Sequence, residues 1–93
     1  MIQSFRDKET EKLWRSGRTR RLSAELGRRA FKKLAILNAA LTLDNLKVPP
    51  GNQLDALRGN RAGQHSIRVN NQYRVCFVWR SGNAFDVEII DYR

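Results

Sequence analysis

The sequence predicts an α+β fold, with two helices packed on one face of a mostly antiparallel sheet. Three observations predict it. Helical periodicity is confined to the first half of the chain, runs rich in β-branched and aromatic residues fill the second half, and a Pro49-Pro50-Gly51 break separates them. Helices followed by a meander of strands, rather than alternating with them, give segregated layers.

The chain opens with "MIQSF", a short strand candidate in which Met1 and Ile2 are apolar and Phe5 ends the run. "DKETEKLWRSG" follows as a short helix. Asp7 can cap it, Glu9 and Glu11 suit the positive end of its dipole, and Gly17 can end it. Leu13 and Trp14 are expected to face the core. After the basic connector "GRTRRL", "SAELGRRAFKKLAILNAA" is the strongest helix in the sequence. Ser23 can cap it and Glu25 favours its first turn. Leu26, Ala30, Phe31, Leu34, Leu37 and Leu41 recur at spacings of three and four, which makes one apolar stripe. Arg28, Arg29, Lys32 and Lys33 fall off that stripe, either as a solvated face or as a contact for nucleic acid.

"TLDNLKVPPGNQ" reads as a loop, because the proline pair cannot continue a helix. "LDALRGNRAGQ" begins extended and breaks at Gly59. The strand-like runs "HSIRV", "YRVCFVW" and "AFDVEIIDY" then follow, with Ser81-Gly82-Asn83 as the second hairpin turn.

Side-chain parity in the first hairpin is informative. His65, Ile67 and Val69 share one face, as do Tyr73, Val75, Phe77 and Trp79; Ser66 and Arg68 take the other, with Arg74, Cys76 and Val78. Residues directly opposed in an antiparallel pair share a face, so placing Ile67 and Val69 beside Tyr73 and Val75 requires an odd loop. The expectation is a three-residue loop, Asn70-Asn71-Gln72, with one residue at positive φ. That register sets Arg68 directly opposite Arg74, away from the helices, at a like-charge cost of roughly a few tenths of a kcal/mol to 1. The pair is either two splayed, solvated arginines or a two-armed clamp for phosphate. Asp91 and Tyr92 have opposite parity, so a regular last strand cannot turn both toward the arginines; the chain end is expected to curl or fray. His65, the one histidine, falls on the core face and suits a structural role. Cys76 suits packing, and Trp14, Trp79 and Tyr73 suit the core.

Composition bounds the rest. A chain of 93 residues suggests one domain, residues 1–93, with a single modest core and a frequent need for a partner. The 18 Lys and Arg residues against 9 Asp and Glu give a net charge of +9, which attracts polyanions, nucleic acid first. No apolar run approaches bilayer length and the start lacks an apolar signal core, so a cytoplasmic location with no membrane contact is expected. Cys76 alone excludes an intrachain disulfide and a thiolate-rich metal site, and neither metal nor cofactor is expected.

The stretch "LRGNRAGQHSIRVNNQYRVCFVW" together with the closing "VEIIDYR" resembles the HigB toxins of the RelE superfamily, the killer proteins of type II toxin–antitoxin modules. The combination L-x-G-[ND]-R, S-I-x-V, [WY]-R-[VIL]-x-F and a terminal D-Y carries the resemblance. It covers nearly the whole chain and is densest over 48–92. The resemblance implies a compact antiparallel sheet with two helices on one side. It also implies cleavage of messenger RNA on the ribosome, by attack of a 2′-hydroxyl on its own 3′ phosphate. As partners it implies a HigA-like helix-turn-helix antitoxin and, through that complex, operator DNA.

Residue by residue, the resemblance assigns Arg74 to stabilising transition-state charge. Asp91 would accept a proton or orient a neighbour, and Tyr92 would stack a base or share a proton. Arg58, Arg61, Arg68 and Arg93 form the expected phosphate-binding set. The sequence departs from the family at Arg93 and Asp55, where many relatives carry His. It departs also at Asn70, where many carry a basic residue; Arg68, on the same face as Arg74, is expected to substitute. Arg93 cannot shuttle a proton near neutral pH. Two other functions fit the same scaffold: a ParE-like gyrase poison, and a non-catalytic basic subunit of an operator-binding complex.

Overall fold

The computed structural model describes residues 1–92. In chain order these form α1 (Lys8–Ser16), α2 (Ala24–Ala39), two 3-10 turns (Leu43–Lys47 and Pro50–Asn52), β1 (Asp55–Ala56), a third 3-10 turn (Gly59–Arg61), β2 (Gln64–Arg68), β3 (Tyr73–Arg80) and β4 (Asn83–Asp91). The strands make one antiparallel sheet in the order β1-β2-β3-β4. The α+β architecture is therefore as the sequence predicts. The opening residues do not form a full strand; Ile2 and Phe5 make isolated parallel bridges to Ala84 and Val87 of β4.

Both helices begin and α1 ends where the capping residues stand. The Asp7 side chain accepts from the Thr10 amide at 3.1 Å, and Gly17, at φ 75°, donates its N–H to the Leu13 carbonyl. Ser23 accepts from the Leu26 amide at 3.2 Å. Leu13 of α1 and Ala30, Leu34 and Leu37 of α2 share a buried cluster with Ile67, Val69, Val75, Phe77, Val87 and Ile89 of the sheet. Fully burying side chains of this size contributes roughly 1.5–3 kcal/mol each. Trp14 stacks on Phe31 at 5.3 Å between centroids and joins α1 to α2. The buried Thr10 hydroxyl accepts the Ile89 amide, which ties α1 to β4.

Leu41 corrects the apolar stripe. The helix stops at Ala39, and Leu41 is 80% exposed. The cause lies just downstream, where Thr42 and Asn45 form a capping box that starts the next turn, and Asn45 Oδ1 also accepts the Leu41 amide. The segment read as loop thus contains two 3-10 turns, and Leu46 from the first is fully buried.

The hairpin register matches parity: Ile67 pairs with Val75 and Arg68 with Arg74, around a three-residue loop. No residue of that loop has positive φ, which corrects the expectation. The Asn70 side chain does the turning instead, accepting the amides of Gln72 (2.9 Å) and Tyr73 (2.7 Å). The second turn is tighter than expected. Ser81 and Gly82, at φ 50° and 77°, make it alone, and Asn83 already pairs with Arg80.

A bulge in β4 sets everything beyond it. The β3–β4 register shifts by one residue between Cys76 and Val78, beside Asp86 at φ 53°. The extra residue lets Ala84 and Val87 both face the core. It turns Glu88, Ile90 and Tyr92 to the arginine side, where a regular strand would have reversed all three.

Candidate functional site

Across the sheet, Arg68, Arg74 and Ile90 form one row on the side away from the helices, and Asp55, Ser66, Cys76 and Glu88 form the next. This side is not bare. Ser66 and Cys76 are fully buried beneath the long polar side chains above them.

Arg74 is the most constrained of those side chains. Its Nε–H donates to Ser66 Oγ at 2.7 Å, and Nη2 donates to the Gln53 carbonyl and, at 3.4 Å, to the Ser66 carbonyl. Among the described residues, nothing accepts from Nη1. The Tyr92 ring lies 5.7 Å from the guanidinium carbon, within cation–π range, and Tyr92 is 49% exposed. Arg68, directly opposite, has one side-chain hydrogen-bond partner among the described residues, Asn71 Oδ1 of the adjoining loop. Arg68 is also within electrostatic reach of α2. The Lys33 ammonium is pushed below its usual range first by burial, then by Arg29 and Arg68. Lys33 is not simply solvated, since it donates to Asn52 Oδ1 at 2.6 Å, and Asn52 in turn bonds the Leu46 and Val48 carbonyls.

The remaining expected residues divide. Arg61 sits on the same side, but Glu88 engages it at 3.2 Å and also pairs with Arg6 at 3.5 Å. Arg58 is exposed, at the start of the third 3-10 turn. Asp91 goes to the other side. As far as Tyr92 the strand does not curl: Asp91 pairs with Tyr73 across the sheet, and the Tyr92 amide donates to the Gln72 carbonyl at 2.6 Å. Asp91 accepts from Gln72 Nε2 and, with Glu9, Thr19, Leu22 and Tyr73, lines a cavity of about 120 Å³ under α1. Arg93 lies outside the described residues. Asp55 shares the face of Ser66 through β1–β2 pairing and is exposed.

Three contributors escaped the sequence reading. Ser66 was legible by parity, as the one hydroxyl beside Arg74 on its face. Glu88 required the β4 bulge. Gln53 acts through its main-chain carbonyl, for which a side-chain pattern gives no signal.

His65 lies on the core side as expected, stacked on Phe77 at 6.3 Å, with Nδ1 buried and without a hydrogen bond among the described residues. Burial pushes the Cys76 thiol up to about 11, against the opposing pull of Arg61, so it is a neutral packing group rather than a nucleophile. Among the described residues, no group of His, Cys, Asp and Glu could hold a metal ion, and no helix is long and apolar enough to cross a membrane.

The family of RelE-like toxins of the type II toxin–antitoxin system HigB matches residues 3–93. The chain is 40% identical over 87 residues to Toxin HigB-1 of Vibrio cholerae serotype O1, covering 92% of each protein. It is 29% identical over 81 residues to an uncharacterised protein of Haemophilus influenzae, covering 86% of this chain and 80% of that one.

Proposed function

The chain belongs to the HigB-like toxins of type II toxin–antitoxin systems, and from that premise we propose that it is an endoribonuclease that cuts messenger RNA on the ribosome. Membership implies an antitoxin partner. The reading assigns that role to a HigA-like helix-turn-helix protein, which would carry the toxin onto operator DNA.

The observation that carries the proposal is the fixed Arg74, facing Arg68 and backed by the Tyr92 ring on the open side of the sheet. In the proposed reaction the 2′-oxygen of the message attacks the adjacent phosphorus. A 2′-O–P bond forms, the P–O5′ bond breaks, and the products carry a 2′,3′-cyclic phosphate and a 5′-hydroxyl. The 2′ proton leaves to a base and a proton reaches the 5′ oxygen. Charge grows on the non-bridging oxygens, where Arg74 Nη1 donates and Arg68 adds a second cation. Arg58 and Arg93 would hold flanking phosphates. Arg61 contributes less, because Glu88 already compensates its charge.

Tyr92 would stack the neighbouring base or share a proton through its phenol. Asp91 would serve the orienting part of its expected role; what supports this is its bond to Gln72, whose carbonyl accepts the Tyr92 amide. The exposed carboxylate on the arginine face is Asp55, which makes it the proposed proton acceptor.

The test adds the purified chain to ribosomes translating a short message. The message should be cut within codons on the ribosome, leaving 5′-hydroxyl ends. An intact message would defeat the proposal, and DNA breaks with uncut message would point instead to gyrase poisoning.

A further inference from the structure

The Arg74 guanidinium on the open face is held by neutral groups from two separate parts of the chain before any RNA arrives. Ser66 holds it from β2. Gln53 holds it from the end of the Pro50–Asn52 turn. We propose that the Ser66 hydroxyl and the Gln53 carbonyl are positioning groups for Arg74, locking its guanidinium so that the Nη1 edge faces the scissile phosphate. This rests on the nuclease reading above and adds to it the two groups that orient its charge.

Each half of the cradle is held by its own local constraint. Ser66 is fully buried in a strand, where a hydroxyl needs a partner, and among the described residues the partner of its Oγ is Arg74 Nε at 2.7 Å. Gln53 adopts the left-handed conformation, φ 45° and ψ 58°, which a residue with a Cβ takes only when its surroundings require it. Its N–H caps the turn by donating to the Pro50 carbonyl at 3.1 Å, and its own carbonyl is thereby turned to Arg74 Nη2. The turn is itself anchored. Buried Asn52 bonds the carbonyls of Leu46 and Val48 and accepts the Lys33 ammonium of α2.

A guanidinium has five N–H donors in a rigid plane. With Nε and Nη2 engaged, the plane is fixed, and among the described residues Nη1 is left for the substrate. Orientation settled in advance does not have to be created in the transition state, which is where such a donor acts. Arg68 offers the contrast, since among the described residues its one side-chain hydrogen-bond partner is a loop asparagine.

The experiment combines cleavage kinetics on ribosome-bound message with NMR of the arginine Nε–H groups. Ser66→Ala should lower kcat roughly tenfold while leaving KM near the unaltered value, because binding does not depend on the exact plane. Gln53→Gly, which keeps both the left-handed turn and the carbonyl, should stay active. Gln53→Val, which resists that turn, should behave like Ser66→Ala. In an Arg74→Lys background, Ser66→Ala should add nothing. The Arg74 Nε–H should exchange slowly with solvent in the unaltered chain and quickly in Ser66→Ala.

An equal loss from Ser66→Ala in the Arg74→Lys background would overturn the proposal, as would persistent Nε–H protection without the serine hydroxyl. If the unaltered chain leaves RNA whole, the nuclease reading fails by itself. The exchange measurement then still decides whether the cradle exists.

Discussion

On the helix side of the β2–β3 hairpin, Ile67, Val69, Val75 and Phe77 are almost wholly shielded from water; one residue away along the same strands, Arg68 and Arg74 oppose each other at the surface. The two faces answer to different free energies. The first lowers the energy of the folded chain by removing apolar area from water. The second raises it slightly through like-charge opposition, a cost that an anion bound between the two arginines would offset. A boundary layer lies between them. Ser66 and Cys76 point to the arginine side yet are buried, so part of the charged face is built on a floor as closed as the core. What distinguishes Arg74 from Arg68 is contact with that floor.

The largest expected effect breaks the helix side. Phe77→Ala should cost about 3–5 kcal/mol, a large fraction of the stability of so small a chain, read by urea unfolding. Activity would fall with the folded population rather than through chemistry. Arg74→Ala should do the reverse. Cleavage should drop by about 10²–10³, the scale for losing a donor to developing charge, while the unfolding midpoint moves much less than for Phe77→Ala. Arg68→Ala should be milder again, weakening message binding several-fold while stability holds or rises by about a few tenths of a kcal/mol as the repulsion is relieved.

The smallest effect probes the boundary layer. Burial raises the folded Cys76 thiol to about 11 from an ordinary 9.0. Between those values the unfolded chain has lost a proton that the folded chain keeps. Unfolding then releases a proton, and stability falls as pH rises through this window. Comparing unfolding midpoints between pH 8 and 11 for the unaltered chain and Cys76→Ala should show a steeper alkaline decline with the cysteine present. Parallel curves would mean the thiol is not buried as described.

The fold was legible wherever local chemistry decides it. Asp7, Gly17 and Ser23 mark their helix ends because capping is a short-range matter, and strand parity fixed the Arg68–Arg74 register because the core tolerates only one face. Legibility failed where a distant or main-chain group decides. Leu41 fits the helical stripe, but a capping box formed by Thr42 and Asn45 ends the run before it. Asn70 turns its loop through a side-chain oxygen, so the backbone needs no positive φ. The bulge beside Asp86 decides which of Asp91 and Tyr92 joins the arginines, and simple alternation does not reveal it. Of the site, the arginines and Tyr92 were visible as residue types in a pattern; the Gln53 carbonyl was not, because every residue has one.

The measurement closest to the central claim maps transcript 5′ ends in cells that express the chain without its antitoxin, side by side with cells that express Arg74→Ala. The account predicts growth arrest and new ends within translated codons for the unaltered chain, with both lost when Arg74 is replaced. Whole transcripts during arrest, or the same ends from Arg74→Ala, would contradict it.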